Sequence, residues 1–376
     1  MNKNSSPKTN WFAVACLLLV LMLTLKAILD FKKMWIEEDL LPSPGLTRFV
    51  YLHKYHPALA NTNGDTRVYF FESKEPGGTV LLLGGTHPNE AAGFVTAYLM
   101  LENLSVSKGR IIIIPQANHS AFTHNDPQEG YPQFFEIEGI RGKRKFRYGS
   151  RITNPVNQWP DPDIYLHYPS GQKLAGNETR NLNRAYPGRP NGNLTEQVAY
   201  AIVNLINEEK IDVAIDLHEA APEYPVVNAI VSTTRSQDLV TEAALELAFE
   251  DLKYSLEPSP YNFRGLSHRE WENFTPTFPI LMETANPIQG RLRGKTDEQL
   301  ILSGQDKMYL VAARLGALAV PYDSSGLSIN LRVARHAEAF HKIVEVFSRN
   351  YPEQAVVFSG IPRYFEILKH GIQEYF

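Results

Sequence analysis

The sequence predicts an α/β fold: a single α/β/α domain with a mixed, largely parallel central sheet, preceded by one N-terminal transmembrane helix. Three observations carry this expectation. An uncharged apolar run lies near the start at residues 11–25 (WFAVACLLLVLMLTL). Short β-rich runs then alternate with helical patterns. Several of those runs are apolar throughout and stop abruptly at a carboxylate or imidazole. The 376 residues carry 37 Lys+Arg against 41 Asp+Glu, with 43% hydrophobic and 21% charged residues and a net charge of -4. That balance excludes a disordered chain, a coiled coil and a polytopic membrane protein. No strongly basic domain exists to attract nucleic acid, so nucleic acid is not expected as a partner.

Taken in order, residues 1–10 read as a polar tail and residues 11–31 as a transmembrane signal anchor. The apolar stretch resumes after Lys26 with Ala27, Ile28 and Leu29, which at about 1.5 Å per residue spans a membrane if Lys26 snorkels. No small-residue cleavage site follows, which favours an uncleaved anchor over a signal peptide. Cys16, the single cysteine, lies inside this run, so disulfides and thiolate metal sites are excluded from the folded body. Lys3 and Lys8 oppose Lys26, Lys32 and Lys33, and the positive-inside rule barely decides the orientation. The catalytic domain is expected to be extracytoplasmic.

A linker at 32–48, rich in charge and proline, leads to a domain over 49–350, with 351–376 as a C-terminal tail. Within the domain, strands are predicted at 68–72, 79–83, 111–114, 213–217, 226–231 and 278–282. Helices are predicted at 89–104, at 195–207 opened by Thr195, and at 328–349. Residues 119–176 show little periodicity and read as a long insertion of the lid or binding-loop kind. Its basic run, Arg141, Lys143, Arg144, Lys145, Arg147 and Arg151, reads first as a solvated loop, the alternative being a site for an acidic substrate or anionic lipid.

Four stretches carry chemistry. In Leu83-Gly84-Gly85-Thr86-His87-Pro88-Asn89-Glu90 a buried strand turns into a helix, and His87 and Glu90, three apart, can aim an imidazole and a carboxylate at one point. Alone, that pattern is more often a helix-start coincidence. Val213-Ala214-Ile215-Asp216-Leu217-His218-Glu219 ends a strand at His218, on the sheet edge where α/β sites collect. His218 is the natural third ligand of a catalytic zinc, which takes three protein ligands and leaves a fourth position open. Asp216 is placed to steady His218, while Glu219 faces the other way and reads as structural. Arg180-Asn181-Leu182-Asn183-Arg184 offers donors for a carboxylate or a carbonyl oxygen. Phe278-Pro279-Ile280-Leu281-Met282-Glu283 ends a further strand at a carboxylate suited to general base work.

Together these motifs resemble the zinc carboxypeptidase superfamily, most closely its succinylglutamate desuccinylase/aspartoacylase branch, over roughly residues 68–287. The resemblance implies one Zn2+ held by His87, Glu90 and His218, a substrate grip from Asn183 and Arg184, and Glu283 as general base. It implies a second arginine, for which Arg180 is the candidate with Arg141 to Arg151 as competitors, and a mobile tyrosine, for which Tyr261 is the candidate. Residues 111–118 resemble the branch's second core strand and its loop; His268 is left structural. The chain departs from the branch at Pro88, where glycine is usual, at Asn181, where aspartate is common, and in its helical region after Glu283.

The expected activity is zinc-dependent hydrolysis of an amide bond in an N-acyl amino acid or related carboxylate-bearing substrate. The alternatives are a zinc metallocarboxypeptidase acting on peptides or cell-wall peptides, and a catalytically silent membrane-anchored binding protein.

Overall fold

A computed structural model describes residues 10–376; the predicted polar tail falls almost wholly outside them. The chain divides into two units, residues 1–37 and 38–376. The first contains helix α1 (Trp11–Lys33), 23 residues long, with no buried residue and with Asn10 accepting from the Ala13 N–H at 3.3 Å. It is long and apolar enough to cross a membrane. It runs slightly beyond the predicted anchor, because Lys32 and Lys33 in the last turn complement the carbonyl end of the helix.

The second unit begins with strands β1 (Arg48–Tyr51), β2 (Arg67–Glu72) and β3 (Thr79–Leu83), helix α2 (Ala91–Asn103), and strands β4 (Ser105–Lys108) and β5 (Arg110–Ile114). Two hairpins follow: β6 (Phe134–Gly139) with β7 (Gly142–Arg147), and β8 (Ile164–Leu166) with β9 (Lys173–Ala175). Next come α3 (Leu194–Glu208), β10 (Val213–Ala220), β11 (Ala229–Ser232), α4 (Gln237–Phe249), β12 (Ser255–Pro258), α5 (Ser267–Phe274) and β13 (Phe278–Ala285). The chain closes with α6 (Glu298–Ser303), α7 (Lys307–Arg314), α8 (Ile329–Asn350), β14 (Val357–Ser359) and α9 (Tyr364–His370).

Eight strands form one mixed sheet in the order β1-β2-β5-β3-β10-β13-β11-β12. Its centre, β5-β3-β10-β13, is parallel, while β2 and β11 join antiparallel on either side. The central strands are apolar at successive positions because both faces are covered. Val80, Leu82, Ile111, Ile113, Val213 and Ile215 enter one core, lined also by residues of α2, α4 and α8. Leu81, Leu83, Ile112, Ile114 and Ala214 enter the other, lined also by residues of α3. The α/β/α layering follows directly from this alternation.

Three expectations change. Helix α3 is capped by Asn193, not opened by Thr195: the Asn193 side chain accepts from the Glu196 N–H, and Glu196 returns to the Asn193 N–H. Residues 351–376 are packed rather than a tail, since β14 pairs with β4 and Phe376 is buried with its ring centroid 5.6 Å from that of Phe146. Lys143, Arg144, Lys145 and Arg147 of the basic run lie on strand β7 and not in a solvated loop. Arg144 grips Glu102 at 2.8 and 2.9 Å, and Arg147 grips Glu38 at 2.7 and 2.9 Å, both pairs buried. Glu38 thereby ties the predicted linker to the domain.

Candidate active site

The site grows from the carboxyl ends of β3, β10 and β13. After β3 the chain turns through Gly84 and Gly85; Gly85 has φ 69°, and a Cβ there would lie 2.7 Å from the Phe122 ring and the Pro115 carbonyl oxygen. That turn carries His87 inward and places Glu90 at the N-cap of α2, one position before the helix begins. Gly93 lets α2 approach β10, since a Cβ there would sit 2.6 Å from the Leu217 carbonyl oxygen.

His87, Glu90 and His218 are all buried, and one potential ligand atom from each lies within 4.8 Å of the others. Glu90 offers Oε1 to His87 Nδ1 at 2.8 Å and Oε2 to His218 Nδ1 at 2.9 Å. The far nitrogens are held from outside. His87 Nε2 lies 2.9 Å from Asn181 Oδ1, which also accepts from the Asn183 N–H at 3.0 Å. Asn181 Oδ1 can only accept, so a His87 that gives its Nδ1 lone pair to a cation would carry its proton on Nε2 and donate it to Asn181. His218 Nε2 lies 2.9 Å from Asp216 Oδ2, near enough for an ion pair though not aligned as a hydrogen bond. Asp216 also accepts from Thr86 Oγ1 at 2.8 Å and Ser267 Oγ at 2.6 Å.

Electrostatically this is a buried site that demands positive charge. Burial opposes ionisation of Glu90 and Asp216, yet neighbouring imidazoles and hydrogen bonds hold both carboxyls below their usual range. Burial first, and then the Arg151 charge, pulls His87 down to about 4, so its lone pair is available. For His218 burial works the other way, but Asp216 and Glu90 outweigh it and raise the imidazole. Two Nδ1 atoms and a carboxylate converging on one point, each anchored from behind, suit a divalent cation with nitrogen and oxygen ligands.

Glu283 stands beside His218 in the β10–β13 register, and its Oε2 is buried without a hydrogen-bond partner. Burial, with Glu90 and Asp216 adding, raises its carboxyl to about 8. Asn183 uses Oδ1 to accept from the Ser267 N–H at 2.8 Å, leaving Nδ2 as its donor group. Arg184 packs 4.6 Å over the Phe263 ring and is pulled down to about 10, first by burial and then by Arg151. All three line one cavity of about 410 Å³ together with His87, Glu90 and His218.

Two predicted residues are not brought there. Arg180 holds Asp161 at 2.7 and 2.8 Å and the Thr153 carbonyl at 2.8 Å, outside the cavity, so it joins the insertion to the loop before α3. Tyr261 is 83% exposed and is absent from the lining, although its neighbours Pro260 and Phe263 belong to it. Two other residues are brought in. Arg151, the last of the basic run, reaches Glu90 Oε1 at 3.1 Å. His268 is buried in the lining, pushed down to about 3 chiefly by burial, with neither ring nitrogen hydrogen-bonded among the described residues. The basic run held the signal for Arg151; nothing in the sequence around His268 distinguishes it.

No protein-family model and no curated protein matches the sequence. Solved structures similar to it include an aspartoacylase family protein from Mesorhizobium loti, at 21% identity and TM-score 0.35, over 59% of this chain and 56% of that one. A succinylglutamate desuccinylase from Silicibacter is similar at 19% identity and TM-score 0.36, over 60% of this chain and 55% of that one. The cell shape determinant Csd4 from Helicobacter pylori, solved with a bound tripeptide, is similar at 12% identity and TM-score 0.41, over 78% of this chain and 56% of that one. The match thus spans little more than half the length of each of these chains.

Proposed function

We propose that the protein is a membrane-anchored zinc hydrolase that cleaves the amide bond of an N-acyl amino acid or a closely related carboxylate-bearing substrate. The observation that carries this reading is the convergence of His87 Nδ1, His218 Nδ1 and the Glu90 carboxylate beside the unpartnered Glu283 Oε2. His87, Glu90 and His218 would hold a zinc ion, which would supply Lewis acidity toward a carbonyl and a water.

The chain's own groups do the rest. Asn181 and Asp216 fix the two imidazoles. Glu283 takes a proton onto Oε2 as water attacks the carbonyl carbon, and returns it to the departing nitrogen when the C–N bond breaks. Arg151, Arg184 and the Asn183 amide give the cavity donors for the substrate's carboxylate and for the oxygen that gains charge. Like charges on Arg151 and Arg184 in one cavity favour an anionic ligand. The cavity volume, about 410 Å³, lies in the range of small-molecule sites and matches a short acyl group on one amino acid better than a long peptide. Helix α1 serves as the anchor, with the catalytic unit on the extracytoplasmic side.

The test is metal content and turnover of wild type beside Glu283→Gln on a panel of N-acyl amino acids and short peptides. Unchanged zinc with activity lowered by about a hundredfold or more is expected. Equal activity in both removes Glu283 from the reaction.

A further inference from the structure

One wall of the cavity is a row of side chains across the sheet. Val231 on β11 stands opposite Leu281 on β13 and opposite Glu257 on β12. Residues paired in this way point to the same face, and all three line the cavity. The row is apolar until it ends at Glu257. This carboxylate is half-buried and makes no hydrogen bond or ion pair with any described residue. The nearby cation Arg269, which shares a neighbouring cavity with Glu257, makes no ion pair with it: its two Nη atoms hold Glu272 at 3.1 Å and the Ser259 carbonyl at 2.6 Å, and its Nε has no partner among the described residues. The cavity therefore has guanidinium groups among its polar donors and a separate, unneutralised negative charge at the end of an apolar strip.

Glu257 lies two strands across and two residues along from Glu283, roughly 12 Å between backbones at the usual strand spacings. Both side chains reach into the cavity and shorten that gap. An alkyl chain of three or four carbons lying on Leu281 and Val231 covers what remains. We propose that Glu257 is a specificity-determining residue that binds a terminal amine on the substrate, so that the amino acid recognised is a diamino acid of the lysine or ornithine kind. The inference rests on the hydrolase reading of the same cavity and names its substrate class. An acidic side chain would meet a like charge there, and a neutral one would cover the carboxylate without pairing it.

The experiment uses the full-length zinc-loaded protein and three probes of similar size: Nα-acetyl-L-lysine, Nα-acetyl-L-norleucine and Nα-acetyl-L-glutamate. Calorimetric binding of the free amino acids L-lysine, L-norleucine and L-glutamate runs in parallel, with melting temperatures as a folding control. Wild type is expected to favour lysine over norleucine by about tenfold or more, through KM and binding affinity. Glu257→Gln collapses that ratio toward unity, and Glu257→Lys shifts the preference to glutamate. Turnover without a lysine preference, or a preference that survives Glu257→Gln, overturns the assignment and leaves the hydrolase reading standing. Lysine-selective, Glu257-dependent binding with no turnover of any probe upholds the assignment and overturns the hydrolase reading. Neither binding nor turnover overturns both.

Discussion

Arg180 and Arg184 are four positions apart, and their partners give them different work. Asp161 and the Thr153 carbonyl take the whole guanidinium of Arg180. Arg184 packs on Phe263, donates to the Asn183 carbonyl at 2.7 Å and lines the cavity, with only a loose ion pair to Glu178 at 3.8 Å. Arg180→Ala is therefore expected to lower stability by about 3 kcal/mol, as loss of one partner from a largely buried pair does, while leaving KM unchanged. Denaturant midpoints and Michaelis profiles of the variant check both halves, and a raised KM at full stability would return Arg180 to the substrate. The convergence of His87, Glu90 and His218 was legible in the sequence because strand ends and a Gly-Gly turn fix where a side chain points. The choice among arginines was not, because a guanidinium reaches many partners and the deciding carboxylate, Asp161, is distant in sequence.

Among the elements, the insertion shows why periodicity fails. Strand β7 buries Arg144 and Arg147, paired to the buried Glu102 and Glu38, along with Phe146, so four basic residues surround its one apolar side chain and mask it from any reading based on hydrophobicity. The central strands suffer no such masking; 79–83 was legible to the residue. The insertion also holds His124, which burial and then Arg180 push down to about 4 from its usual 6.5. Below about pH 6.5 the unfolded chain binds a proton that the folded chain refuses until about pH 4, so stability falls as pH drops through that window. Urea midpoints at pH 7 and pH 5 should differ less for His124→Asn than for wild type. A wild-type difference that the substitution leaves intact would assign the acid sensitivity to other groups.

For the whole molecule, the apolar helix and the α/β unit were both legible as separate segments, because a run without charge and an alternation of buried strands are strong local signals. The packing of residues 351–376 was not, since β14 and α9 are short and gain their place from β4 and α8. A chain lacking residues 1–37 is expected to leave the membrane fraction and keep its turnover, measured by sedimentation and assay. Retention on membranes would point to a second attachment surface. The site is expected to bind a single divalent cation through three side chains from two distant stretches. Zinc analysis of the purified protein beside His218→Ala tests it most directly: about one equivalent is predicted for the wild type and a small fraction of that for the variant. A wild type that binds no zinc, or a variant that binds as much, would contradict the account.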